Sequence, residues 1–408
     1  MAITFKQARL QNGLTIVGEV DPDAASAAAG FFVKTGARDE AAPIMGVSHF
    51  LEHMMFKGTS NLTSHDLNRL FDEMGARNNA YTTAEMTCFH AHVLPERLDQ
   101  ATDLLGRMMR PALRQEDFDT EKGVILEEIA MYKDQPFWVL FEQCQERHFG
   151  VHPLGHRVLG TEQTIKDLAR DQMREYFENR YSADNTVVSL AGRLDFERSV
   201  ERIAGLCGGW QTTNVSRDNR RPEIPGGTVE IRDPKVSRGY LLMLAEGPAV
   251  ADDRRYAAAL LAQVLGASDN SRLHWSLIET GIAEEAQAGY EPSDGTGMYY
   301  IYASGDPEQL GEIRGVIEKQ LADLVDSLTD DDLVRLRNKL ATSVTLAGER
   351  PNDRMQRLGR LFTTLGRYRT LEEELGVIER ISLDDLREVA KVFPITPRTV
   401  GTLMPEQA

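Results

Sequence analysis

The stretch GVSHFLEHMMFKG, residues 46–58, organises the reading of the whole chain. It holds His49, Glu52 and His53 in the order H-x-x-E-H. On a helix of about 3.6 residues per turn, positions i, i+3 and i+4 project from one face. Two imidazoles one turn apart can grip one metal ion, with a carboxylate beside it. Val47, Leu51, Met54 and Met55 lie on the opposite side as an apolar stripe suited to a core. Gly58 suits the stop of this helix. Histidine and glutamate at helical spacing also arise on ordinary solvated faces, so the spacing alone does not make a site. The buried stripe opposite argues for a half-buried helix whose polar triad faces an opening. Two histidines and a carboxylate suit zinc, with a fourth position left to water.

Outward from this helix, residues 62–74 read as a second amphipathic helix, with Leu67, Leu70, Phe71 and Met74 on one face. The run NNAYTTAEMTCFHAHVL after Gly75 alternates and is rich in Thr, Tyr and Phe, which predicts a strand. His90 and His92 share one side of it and read as structural. Residues 96–109 and 115–133 read as helices. In the second of these, Glu121 and Glu128 stand seven apart and share a face, while Glu127 points about 100° away as a solvated charge. The segment HFGVHPLGHRVLGT carries His148, His152 and His156 at helical spacing. Gly150, Pro153 and Gly155 interrupt it, so it reads as a loop.

The chain has 408 residues, enough for two or three domains, and 41% hydrophobic with 27% charged residues marks a soluble globular protein. A net charge of −17 argues against nucleic acid and against anionic membranes as partners. Cys88, Cys144 and Cys207 are few and scattered, with no C-x-x-C, which suggests free thiols in a reducing compartment. No basic and then apolar leader opens the sequence, and no apolar run approaches the ~18 residues that span a bilayer. The expected location is cytoplasmic, or periplasmic if a leader has been removed.

The chain also reads as two copies of one plan. TVVSLAGRLDFERSVERIAGL and MYYIYASGDPEQLGEIRGVIEKQL each run strand, small-residue turn, helix. LTDDDLVRLRNKLATSVTLA then lines up with RQEDFDTEKGVILEEIA, which sets Leu336 opposite Glu121 and Ser343 opposite Glu128. The second copy has no H-x-x-E-H, so metal chemistry belongs to the first. The expected organisation is 1–210 as a metal-binding domain, 211–227 as a polar linker and 228–408 as a second domain without metal ligands.

H-x-x-E-H is the inverted zincin motif, and the longer string G-V-S-H-F-L-E-H-M-x-F-K-G-T resembles the M16 peptidase family. The resemblance covers nearly the whole chain and includes bacterial single-repeat members and the mitochondrial processing peptidase. It implies an α+β fold of two homologous α/β domains, each a mostly antiparallel sheet packed with helices. It implies one zinc per chain, held by His49, His53 and a glutamate of the 115–133 helix. The string E-x-x-V-I-L-x-E matches that ligand to Glu128, and Glu121 to an acidic residue that helps orient the site. Glu52 becomes the general base of peptide hydrolysis. Asn79, Ala80, Tyr81 and Thr82 match N-A-x-T, an exposed edge strand on which substrate backbone pairs.

One departure bears on activity. Active relatives carry an Arg and, seven residues on, a Tyr after a string like Ser271-Arg272-Leu273; both steady the transition-state oxyanion. Aligned on Gly281-Ile282-Ala283, with one residue missing, those positions fall on Ile278 and Glu284, which cannot do so. The resemblance therefore implies a dimer, with a homologous M16 chain that brings the Arg and Tyr expected over a second copy of this one. The rival reading is a non-catalytic M16-like subunit that binds peptide or serves a larger assembly.

Overall fold

The computed structural model describes residues 3–406. In chain order, the first half begins with β1 (Thr4–Arg9), β2 (Thr15–Val20) and β3 (Ala27–Val33), then α1 (Val47–Met55) and α2 (Ser64–Glu73). β4 (Arg77–Thr82), β5 (Thr87–Val93), α3 (Leu98–Met108), α4 (Gln115–Lys133) and α5 (Pro136–Phe149) follow. It closes with α6 (Glu162–Asp167), α7 (Arg170–Arg180), β6 (Thr186–Gly192) and α8 (Phe196–Cys207). The second half holds β7 (Gly227–Arg232), β8 (Gly239–Gly247), α9 (Arg255–Gly266), β9 (Glu285–Ser293) and β10 (Thr296–Gly305). It ends with α10 (Leu310–Asp323), α11 (Asp330–Ala347), α12 (Pro351–Leu365), α13 (Leu371–Arg380), α14 (Leu383–Val392) and β11 (Thr399–Met404). No helix among the described residues is long and apolar enough to cross a membrane.

Two mostly antiparallel sheets organise the chain. One runs β1-β2-β6-β3-β5-β4 and the other β7-β11-β8-β10-β9. In each, one pair is parallel: β2 with β6 inside the first sheet, and β11 with the edge strand β7 in the second. The orders superimpose as β2, β6, β3, β5, β4 on β7, β11, β8, β10, β9, so the sheets are copies of one plan. This corrects one register read from sequence. β10 with α10 corresponds to β5 with α3, not to β6 with α8. Several strand-turn-helix units share that plan, and only strand pairing tells them apart. The match of α4 to α11 agrees with the strand order. The run 78–94 is also two strands, not one, because Thr83 to Met86 make a turn in which Thr83 N–H donates to Met86 O at 2.8 Å. His148 lies in the last turn of α5 rather than in a loop.

The chain forms two compact units that do not follow a single cut. The first takes residues up to Ile129, His156–Asp218 and Thr345–Tyr368; the second takes Ala130–Gly155, Asn219–Val344 and the chain from Arg369. A cut at 211–227 falls near the Asp218–Asn219 crossover, but two helices change places across it. α12, from the second half, covers one face of the first sheet, and α5, from the first half, packs on β7, β8 and β11 of the second. Sequence proximity gives no sign of such an exchange.

α12 explains the composition of β3. Ala27, Ala29, Phe31 and Val33 join the core that includes α1 and α3, while Ala28 and Phe32 pack with Met355 on the other face. A strand covered on both faces has no polar side to show, and every residue of β3 is buried. Glu19, only 1% exposed, fastens the helix: it accepts from Arg354 at 2.9 Å and from the Tyr368 hydroxyl at 2.9 Å.

Candidate metal centre

α1 is positioned from its first turn. Gly46 precedes it at φ +95°, and a Cβ there would stand 2.6 Å from Leu159 O. Only glycine meets both conditions. The buried Glu40 carboxylate accepts from the Gly46 and Ser48 backbone N–H groups, each at 2.7 Å. An anion at a helix N-terminus satisfies orphan donors and suits the helix dipole. Burial nevertheless pushes Glu40 up to about 8, against those two donors. Behind the turn, the Tyr176 hydroxyl bonds Ser48 Oγ at 2.7 Å and Thr35 Oγ1 at 2.8 Å. Val47, Phe50, Leu51, Met54 and Met55 are buried, which turns His49, Glu52 and His53 to the other side.

α4 meets this face. Its Phe118 stacks on Phe50 with ring centroids 4.7 Å apart, and Ile125 and Ile129 continue the buried side. Glu128 then stands with Oε2 3.7 Å from His49 Nε2 and 3.7 Å from His53 Nε2. The three ligand atoms lie within 4.8 Å of one another, and this is the one such group of three among the described residues. Ligands about 2.05 Å from a tetrahedral zinc stand roughly 3.4 Å apart, so the donor set fits that ion closely. Glu127 is exposed, as its helical position predicts.

The surroundings prepare the ligands. Burial, with His53 nearby, holds His49 down at about 3, so its ring is neutral with a lone pair to give. His49 Nδ1 is buried without a hydrogen-bond partner. His53 Nδ1 donates to Glu121 Oε1 at 2.8 Å. That bond fixes the tautomer and leaves Nε2 facing Glu128, the usual support of a metal-binding histidine. Glu121 Oε2 also pairs with Lys57. Burial raises the Glu121 carboxyl, but the His53 and Lys57 hydrogen bonds outweigh it and the pKa is lowered overall. For His53 burial acts downward, and the bond to Glu121 with the surrounding carboxylates lifts it above its ordinary value. Burial raises both Glu52 and Glu128. The Thr82 hydroxyl opposes that rise at Glu52, donating to its Oε2 at 2.7 Å.

The structure brings His49, Glu52, His53, Glu121, Glu128 and Thr82 together. The other residues of the expected substrate strand make different contacts. β4 is the edge of its sheet, but the Tyr81 hydroxyl reaches α12, donating to Gln356 Oε1 at 2.8 Å. Asn79 Oδ1 accepts from the Ala80 N–H at 2.9 Å, and Ala80 packs on the core. Sequence reasoning passed over Lys57, Glu40 and Gln356. Lys57 could have been found, since it sits four residues after His53 in the quoted stretch. Glu40 and Gln356 carry no local signal. In the second unit, Ile278 ends one π-helical turn and packs on the core, and Glu284 pairs with Arg238 at 2.6 Å.

Two related mixed sheets, with two histidines and a glutamate converging beside the first, define a two-domain metallopeptidase fold of the H-x-x-E-H kind. Family comparison agrees. The insulinase family (peptidase family M16) matches residues 15–162, and the peptidase M16 inactive domain matches residues 167–340. The chain is 32% identical over 390 residues to the uncharacterized zinc protease YmxG of Bacillus subtilis, covering 95% of each. It is 31% identical over 401 residues to an uncharacterized zinc protease of Streptomyces coelicolor, covering 95% of this chain and 87% of that one. The protein belongs to the M16 peptidase family. In fold it is similar to a protease from Helicobacter pylori, with TM-score 0.92 at 18% identity over 99% of this chain and 100% of that one. It is also similar to a peptidase M16 inactive domain from Pseudomonas fluorescens, with TM-score 0.88 at 17% identity over 99% and 98%.

Proposed function

We propose that this chain is a zinc-dependent endopeptidase that hydrolyses extended peptides or unfolded segments, with one zinc per chain on His49, His53 and Glu128. The observation that carries the reading is the placing of Glu128 Oε2 at 3.7 Å from both histidine Nε2 atoms, with Glu52 on the same helix face. Zinc held there would supply Lewis-acid polarisation of a carbonyl and a more acidic water. Glu52 takes the proton of the attacking water and returns it to the leaving amine. Glu121 keeps the His53 ring in one tautomer. The open edge of β4 pairs with substrate main chain, which favours extended substrates over folded ones. Buried free thiols at Cys88, Cys144 and Cys207 support a reducing compartment.

Ile278 and Glu284 offer no oxyanion donor. We therefore place the active form in a dimer with a homologous M16 chain that contributes an Arg and a Tyr, the two chains together forming a chamber. A missing oxyanion donor costs about 10²–10³ in rate. The same two residues favour a second reading, a peptide-binding subunit that does not cut. Turnover of a quenched fluorescent peptide library separates them, measured on the zinc-loaded chain alone and with the partner. Glu52→Gln should keep zinc and lose turnover by at least about 10². No turnover in either state would leave the binding reading.

A further inference from the structure

The Thr82 hydroxyl is committed to Glu52, and its surroundings are built to keep it there. Thr82 is the last residue of β4, and the turn after it is tied down on several sides. Thr83 Oγ1 accepts from the Glu85 and Met86 N–H groups at 3.2 and 3.0 Å. The Ala37 and Arg38 N–H groups donate to Thr83 O at 3.2 Å and to Ala84 O at 2.8 Å. Glu85 pairs with Arg38 at 2.5 Å and is approached by Arg217. Behind Thr82, its register partner Thr87 is buried and donates through Oγ1 to Thr35 O at 2.9 Å. The same loop that receives this turn leads into α1, so strand end and helix share one rigid support. Catalytic groups held by such support keep their geometry without reorganising.

From that placement we propose that Thr82 is the positioning residue for Glu52: its hydroxyl holds Oε2 and presents Oε1 as the oxygen that exchanges the proton. A carboxylate on a flexible two-carbon arm has several rotamers, and one charge-assisted hydrogen bond at 2.7 Å selects one of them. No other hydrogen bond among the described residues holds this carboxylate. Thr82 therefore acts through the base and not on the peptide, although it belongs to the strand whose edge a peptide would pair with. The assignment of its effect on rate rests on the peptidase reading above; the assignment of the Glu52 conformer does not.

The test compares the full chain with Thr82→Val and Thr82→Ser, each supplied with zinc, by crystal structure and by steady-state kinetics. Thr82→Val keeps the shape and β-branching but removes the donor. Expected are a Glu52 side chain spread over more than one rotamer and a kcat about tenfold lower, the scale of one such hydrogen bond. KM and zinc content should hold, and Thr82→Ser should restore both the single conformer and most of kcat. Thr82→Ala supplies a second removal if Thr82→Val fails to fold. A Glu52 conformer unchanged in the valine variant overturns the proposal whether or not the protein turns over substrate. A raised KM with unchanged kcat also overturns it, because Thr82 is then a peptide contact. A wild-type chain without turnover, alone or with its partner, counts against the peptidase reading, and the crystallographic comparison still decides the role of Thr82.

Discussion

Tyr81 and Gln356 are joined by a 2.8 Å hydrogen bond although 275 residues separate them. One sits on the edge strand β4 and the other on α12, the helix that the second half of the sequence lends to the first sheet. The metal-bearing unit is therefore not complete within the first half of the chain.

A chain ending at residue 218 should not fold to a stable zinc-binding domain. It lacks α12, whose Met355 and Leu358 are 0% exposed and whose Phe362 is 8% exposed. Each such side chain contributes roughly 1.5–3 kcal/mol by burial. In the full chain, Gly359→Ala probes the same contact, since a Cβ there would stand 2.1 Å from Phe32. Overpacking of this kind costs about 1–3 kcal/mol, read as a lower urea midpoint.

Glu121→Gln should weaken zinc binding about 10- to 100-fold, because the partner that orients His53 is lost. Chelator competition measures this. Zinc affinity equal to wild type would show that the His53–Glu121 bond does not prepare the ligand.

Glu127→Gln should change neither zinc affinity nor turnover by more than about twofold, because an exposed charge off the ligand face contributes little. It serves as the control for Glu128→Gln, which removes a ligand. A zinc loss matching that of Glu128→Gln would reassign the third ligand.

Glu40→Gln should destabilise the fold by about 1–3 kcal/mol. Above about pH 8, where the carboxyl is ionised, the amide replaces one accepting oxygen with a donor that faces a backbone N–H of the α1 N-terminus. Glu40→Asp should cost a similar amount, since the shorter arm cannot reach both Gly46 and Ser48. Thermal unfolding of the zinc-free chain keeps metal effects out of the measurement.

Stability should fall as the solution is acidified through the histidine range, in part through His148. This residue is fully buried, bonds Thr399 Oγ1 through Nδ1 at 3.0 Å, and is pushed down from 6.5 to about 4 by burial and then by Arg398. Its folded pKa lies below its unfolded one, so the unfolded chain binds the extra proton between those values. The contribution is fully present above about pH 6.5 and is lost as pH falls toward 4, reaching on the order of 3 kcal/mol. Urea midpoints of wild type and His148→Gln at pH 7.5 and 5 should differ in slope, with the variant less sensitive. Equal slopes would remove His148 from the acid response.

Much of the site was legible because its residues sit on two regular helices. His49, Glu52 and His53 follow from a spacing of three and four, and Glu121 with Glu128 from a spacing of seven on α4. Periodicity of that kind states which side chains share a face before any tertiary contact is known. It does not state what they meet. Tyr81 and Thr82 are neighbours in one strand, so they point to opposite faces. Which face held α1 and which held α12 could not be told from the strand alone.

Sequence by itself determined the helix that carries His49, Glu52 and His53, the carboxylates of α4 and the doubled plan. Each is a local pattern or the repeat of one. Only the tertiary structure decided the exchange of α5 and α12, the clamp of Glu40 on α1 and the bond from Thr82 to Glu52. Those join residues far apart in the chain, where burial and pairing geometry choose the partner and no period in the sequence records the choice.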